Sequence, residues 1–189
     1  MRQRETSRTR GHTRNWLRGA TAKAHTRTDA VFGAFDFARP DAFARFLLAQ
    51  QAGLAAAETE LRAHGACHWA ETVARRLDAI CEDLDSQGAK TTFTVPLRTP
   101  EPIGIAYVVA GSLHGTSVLR TRYRKLNPDA RLPRFFEAGD WKPLWADALC
   151  ALERHGQNPA ILASARATFA AFTRAGEIAT VRSRLEPAA

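Results

Sequence analysis

Apolar positions recur along most of this chain at the three-to-four-residue spacing of helices that bury one face. In CHWAETVARRLDAICEDLD, Trp69, Val73, Leu77, Ile80 and Leu84 form one stripe, and Gly88 ends it. The preceding segment, DAFARFLLAQQAGLAAAETELRAH, predicts a helix that starts on Pro40, a good first-turn residue, and runs to Gly65. In NWLRGATAKAHTRTDAVF, Asn15 is the expected N-cap, and Leu17, Thr21, Ala24, His25 and Thr28 share a face. From Pro102 an apolar helix extends through AYVVAGSLHGTSVL to RTRYRKL, where Asn127-Pro128 stops it. WKPLWADALCALERHG is amphipathic through Trp145, Leu149 and Leu152. Asn158-Pro159 then caps a last helix that buries Ile161, Leu162, Phe169 and Phe172. KTTFTVPLRTPEP carries strand-like residues, but its prolines argue against a sheet, and DARLPRFFEAGD reads as irregular. The pattern predicts about six helices and no strand, an all-α single domain.

Composition narrows this picture in two places. The 189 residues carry a net charge of +8, which suits an acidic partner, an anionic ligand, nucleic acid or a membrane surface. Part of that charge is local: MRQRETSRTRGHTR holds five arginines and one glutamate. Residues 1–14 therefore read as a basic, disordered tail and residues 15–185 as the helical domain. The tail has no apolar run of a secretory signal. Cys67, Cys81 and Cys150 form no C-x-x-C pair, so reduced thiols in a cytoplasm are expected. The apolar run near residue 110 reads as shorter than a membrane span, with His114 interrupting it.

The sharpest local question is posed by Gly111 and Gly115. A glycine inside a helix costs about 1 kcal/mol relative to alanine. Projected on a helix, Gly104, Val108, Gly111, Gly115 and Val118 lie along one stripe, with Tyr107 and His114 on its flank. Close packing of another helix is the commoner reason for Gly-x-x-x-Gly; the alternative is a flat ligand lying on bare backbone. Among the six histidines, His64 and His68 have a metal-compatible spacing that Gly65 breaks. His25 differs, because Asp29 one turn later can accept a hydrogen bond from one ring nitrogen and leave the other for a metal. Arg18 and Lys23 lie near it, and Arg166 and Arg174 accompany Phe169 and Phe172 on the last helix. Such cations can be a solvated face or a rim that holds carboxylates. No Glu-x-x-His pair, phosphate loop or Gly-x-Ser-x-Gly elbow occurs.

LRGATAKAHTRTD, Leu17 to Asp29, resembles the proximal helix of heme oxygenases, and YVVAGSLHG, Tyr107 to Gly115, resembles their distal helix in the bacterial biliverdin-producing branch. PRFFEAGDWKPLWADAL and ARATFAAF are similar to later segments of that family, so the resemblance spans about Trp16 to Ile178 in consistent order. It implies a multi-helix bundle with heme sandwiched between the two helices. His25 is then the iron ligand, Gly111, Ser112 and Gly115 the distal residues at the reaction site, and Arg18, Tyr107 and Arg166 the candidates for the heme propionates. The implied reaction is heme cleavage with O2 and external electrons to biliverdin, CO and ferrous iron. Ser112 stands where animal members carry an aspartate, Thr116 replaces a second glycine, and His114 is an unusual neighbour that would block O2 if it reached iron.

The partners expected from this resemblance are heme, an acidic electron donor such as a ferredoxin, flavodoxin or reductase, and a bilin acceptor such as a phytochrome. Neither a membrane nor nucleic acid is expected. Two other functions stay open: a heme carrier or sensor without turnover, and, on charge alone, a basic nucleic-acid-binding helical protein.

Overall fold

The helices begin and end where capping chemistry allows, once caps supplied from distant parts of the chain are counted. A computed structural model describes residues 11–88, 92–137 and 141–182; the side chains of Leu113, His114 and Arg182 lie outside the described set. Among these residues there are six α-helices and no strand: α1 His12–Gly33, α2 Pro40–Ala63, α3 Cys67–Ser86, α4 Pro102–Leu126, α5 Lys142–His155 and α6 Pro159–Arg182. A single 3-10 turn, Arg134–Phe136, lies between α4 and α5.

Most boundaries follow local chemistry. Pro40 and Pro102 occupy the first turns of α2 and α4. The Ala160 N–H donates to Asn158 Oδ1 at 2.8 Å, so Asn158 caps α6 as its position predicts. Gly65 at φ +70° and Gly88 at φ +67° take the left-handed conformation that ends α2 and α3. The start of α1 is a correction. Asn15 lies inside the helix, which begins at His12 after Gly11, so His12 to Arg14 are helical although the charge pattern placed them in the tail. Gly11 has no side chain to cap with, and Glu153 of α5 does the capping instead: its Oε1 accepts from the Gly11 N–H at 3.1 Å and from the Arg14 N–H at 3.3 Å. A carboxylate there also complements the positive end of the helix dipole. Residues 1–10 lie outside the described residues.

The last helix is the hub. α1, α2 and α4 all pack on α6, α4 and α1 also pack on α5, and α3 packs on α2. α4 reaches α6 very closely at Gly104, where an added Cβ would fall 2.5 Å from the Ile161 carbonyl oxygen and 2.7 Å from the Ala165 nitrogen. α1 is fastened along α6 by Thr28 against Thr173 at 2.8 Å, by Arg27 with Glu177 at 2.9 Å, and by close approach of Val31 to Gly176. One end of the bundle closes on an aromatic cluster of Phe32, Phe35, Phe37, Phe43, Phe46, Tyr123, Phe135 and Phe136, with edge-on and tilted ring contacts. The stretch 92–101 is irregular and is held by the buried carboxylate of Glu60, which accepts from the Thr99 N–H at 2.6 Å.

Two readings of faces need adjustment. At 25 residues, α4 is long and apolar enough to cross a membrane by length and composition, contrary to the expectation that the segment falls short; more than half of its most apolar stretch is buried within the fold. In α5 the buried positions are Leu144, Ala148, Ala151 and Leu152, while Trp145 and Leu149 are only half-buried. The core face is rotated by about one residue from the predicted stripe, which leaves Trp145 at an edge.

The Gly104 contact yields a direct test. Gly104→Ala would press a methyl into backbone that cannot turn aside, so it should destabilise the fold by about 1–3 kcal/mol despite the better helix propensity of alanine. Urea denaturation followed by far-UV circular dichroism measures this, and an unchanged midpoint would refute the close packing.

Candidate functional site

Most of the sequence-predicted residues lie on α1 and α4, with Arg166 on α6. These two helices sit side by side on α5 and α6, yet among the described residues their backbones make at most marginal contact with each other. They are pinned together near both ends. At one end Arg14 lies over the Trp145 ring, 5.3 Å from its centroid, and Trp145 meets Tyr107 at 5.7 Å between centroids. At the other end the Arg122 guanidinium donates to the carbonyls of Gly33 at 3.2 Å and Phe35 at 2.9 Å. The helices therefore run in the same direction. His25, between Arg14 and Gly33, comes at about the same level as Gly115, between Tyr107 and Arg122.

His25 is placed as its spacing implies. Nδ1 lies 2.9 Å from Asp29 Oδ2, one turn along the helix, and the ring sits edge-on to Phe169 with centroids 5.5 Å apart. The residue is 58 % exposed at its side chain, so it lies at the margin of the helix's buried face and not within it. With Nδ1–H donated to the carboxylate, Nε2 carries the lone pair, and no group among the described residues hydrogen-bonds it. A carboxylate behind the ring fixes its orientation, as in many metal-binding histidines.

The glycines of α4 separate into two kinds. Gly104 is the packing glycine. A Cβ on Gly111 would meet only the Trp145 ring, at an ordinary 3.7 Å, and one on Gly115 would meet nothing within 4 Å. Helix packing thus accounts for Gly104 and leaves Gly115 without such a reason. Ser112 is exposed and its hydroxyl donates to the Val109 carbonyl at 2.7 Å, folded back on its own helix. His114 is one residue from Gly115 on α4, and its side chain lies outside the described set.

A cationic cluster lies at the first of these ends. Burial pushes the Tyr107 phenol above its ordinary pKa, and the nearby charges of Arg14 and Arg18 pull the other way. Arg14 and Arg18 are one turn apart on α1, so two guanidinium groups and one phenol collect there, against Trp145. This arrangement suits carboxylates. Arg166 is differently engaged: its Nη2 donates to the Ala20 carbonyl at 3.1 Å, tying α6 to α1.

Arg14 and Trp145 belong to this cluster and went unnoticed in the sequence. Arg14 carried a usable signal, four residues before Arg18, obscured once the helix was started at Asn15. Trp145 read as a core residue, and only the rotation of α5 shows otherwise. His64 lies just past the end of α2 and His68 in the first turn of α3, with His64 Nε2 2.8 Å from the Thr99 carbonyl oxygen. No group of three or more potential metal ligands occurs among the described residues, which leaves His25 as a single-residue ligand candidate.

No protein-family model matches the chain, and no curated protein or solved structure matches it significantly.

Unlike Gly104, Gly111 and Gly115 should accept a methyl group without loss of stability. Gly115→Ala should stabilise the protein by about 0.5–1 kcal/mol through helix propensity alone, with Gly111→Ala close to neutral. Thermal melts of the two variants check this; a loss of stability in Gly115→Ala would place a packing partner against Gly115.

Proposed function

We propose that this chain is a heme oxygenase, which takes heme as substrate and, with O2 and electrons from an acidic redox donor, yields biliverdin, CO and ferrous iron. The observation that carries the reading is the pairing of His25 with Gly115. An imidazole oriented by Asp29, with Nε2 outward, stands level with bare backbone on a helix it does not pack against. The resemblance of the two helical segments to proximal and distal heme oxygenase helices supports the same assignment.

The residues fit the group. A flat macrocycle needs a nitrogen ligand on one face, room on the other and cations for its carboxylates. His25 Nε2 supplies the first, the absence of a side chain at Gly115 and Gly111 the second, and Arg14, Arg18 and Tyr107 the third. Heme when bound supplies the iron at which O2 is reduced, and its own ring is the part oxidised. The protein's tasks are then binding, orientation and the handling of water. Asp29 accepts from Nδ1 of His25 and so would leave Nε2 as the ring nitrogen that meets iron. Arg14 and Arg18 would hold the carboxylates of heme at the Trp145 end. Ser112 holds its hydrogen on the Val109 carbonyl, so its oxygen accepts from water and orders it without ionising. Arg166 acts one step back, fixing the backbone of α1 at Ala20. The donor docks through charge, in keeping with the net +8.

Reconstitution tests the assignment. The purified chain should take up one heme with the spectrum of a histidine-ligated iron, and ferredoxin with its reductase should convert it to biliverdin under air, identified by chromatography. His25→Ala should lose that spectrum and most of the turnover, and Arg14→Ala should weaken heme binding by about three- to tenfold, the size of one charge-assisted contact. Heme uptake without biliverdin would point to a carrier or sensor, and the oxygenase reading would fall.

A further inference from the structure

The glycine segment of α4 has an unusual mechanical problem. Gly111 and Gly115 weaken the helix from within, and no side chain among the described residues lies within 4 Å of the point where a Cβ of Gly115 would be. Backbone of that kind opens locally more readily than its surroundings. An anchor at the next residue, on a less exposed face of the helix, offsets it. Arg76 of α3 is 6 % exposed, and its Nη2 donates to Thr116 Oγ1 at 3.0 Å, one residue after Gly115. The guanidinium lies over the Phe135 ring, 4.4 Å from the centroid. Phe135 is itself fixed, because the buried carboxylate of Asp83 accepts from the backbone N–H groups of Arg134 at 2.9 Å and Phe135 at 2.7 Å. Burial lowers the Arg76 pKa to about 10, so it remains charged at neutral pH.

We propose that Arg76 is a positioning residue for the exposed glycine segment of α4: by holding Thr116 from the buried side, it fixes the backbone at Gly115. The chain of contacts runs from Asp83 through the 3-10 turn and the Phe135 ring to Arg76, and from there to Thr116. Thr116 also stands where the heme oxygenase pattern carries a second glycine. At this position the chain exchanges freedom for a hydroxyl that a buried cation can grip. The guanidinium's planar stack and directed N–H groups suit the task, and a lysine ammonium would keep the charge but lose the fork and the stacking. The consequence for chemistry rests on the heme oxygenase reading: a fixed backbone at Gly115 holds the macrocycle against one set of contacts, so that one edge is attacked.

Amide hydrogen exchange of the full-length, heme-free chain tests the anchor without reference to heme. Thr116→Val removes the acceptor at almost constant shape. It should speed exchange in peptides covering residues 111–118 about tenfold while leaving peptides of α2 unchanged, and Thr116→Ser should behave like the wild type. Arg76→Met should speed the same peptides, and Arg76→Lys should fail to restore them. Unchanged exchange in Thr116→Val, or an equal acceleration of α2 and α4, would overturn the proposal. In the reconstituted protein, Thr116→Val should turn a single biliverdin isomer into a mixture. A wild type that makes no biliverdin would remove the oxygenase reading and leave the exchange result standing.

Discussion

Everything at the candidate site depends on how α4 is seated on α6. At Gly104 the two backbones come so close that a methyl group has no place, and this contact fixes the depth and the direction of α4 from its first turn. α1 lies along the same helix, fastened through Thr28, Thr173, Arg27 and Glu177. Two helices that share one support need not touch each other. The placement of α1 and α4 with at most marginal contact between them is therefore set in large part by α6.

Electrostatics reinforces that geometry at the two ends. Glu153 caps α1 from α5 and so determines that the helix extends back to His12. That extension carries Arg14 into line with Arg18 and brings both near Tyr107. Without the remote carboxylate, the first turn would have four N–H groups lacking acceptors and no acidic residue of its own. At the far end Arg122 satisfies the carbonyls that α1 exposes as it ends. Each end of α1 is completed by another element, so its register against α4 is a tertiary property.

This division explains what could be read from the chain and what could not. Helices α2, α3, α4 and α6 are legible because proline starts, glycine stops, the Asn158 cap and long apolar stripes all act within a few residues. The His25–Asp29 pair is legible for the same reason: it needs only one helical turn. The true start of α1 was hidden because its cap is 142 residues away. Trp145 was hidden because a tryptophan at the border of an amphipathic face fits the core or the rim equally well, and the choice depends on how α5 rolls against α4. Arg76 was hidden more deeply. In ETVARRLDAI two arginines stand side by side, Arg75 exposed and Arg76 buried, and nothing in that stretch says which one faces a ring and a threonine.

The three glycines of α4 bring these scales together. In sequence they form one stripe, and helix packing explained all of them equally well. In the fold the same stripe leaves the core as the helix rises past its neighbours: Gly104 is enclosed, Gly111 touches only the edge of Trp145, Gly115 faces open space, and Val118 is 70 % exposed. A helix of 25 residues that packs along only part of its length must change environment along one face. The change falls within the segment that lies level with His25. A residue with no side chain is needed at Gly104 by the protein's own backbone. At Gly115 a Cβ would meet nothing within 4 Å, so packing among the described residues does not account for the cost of about 1 kcal/mol in helix stability there.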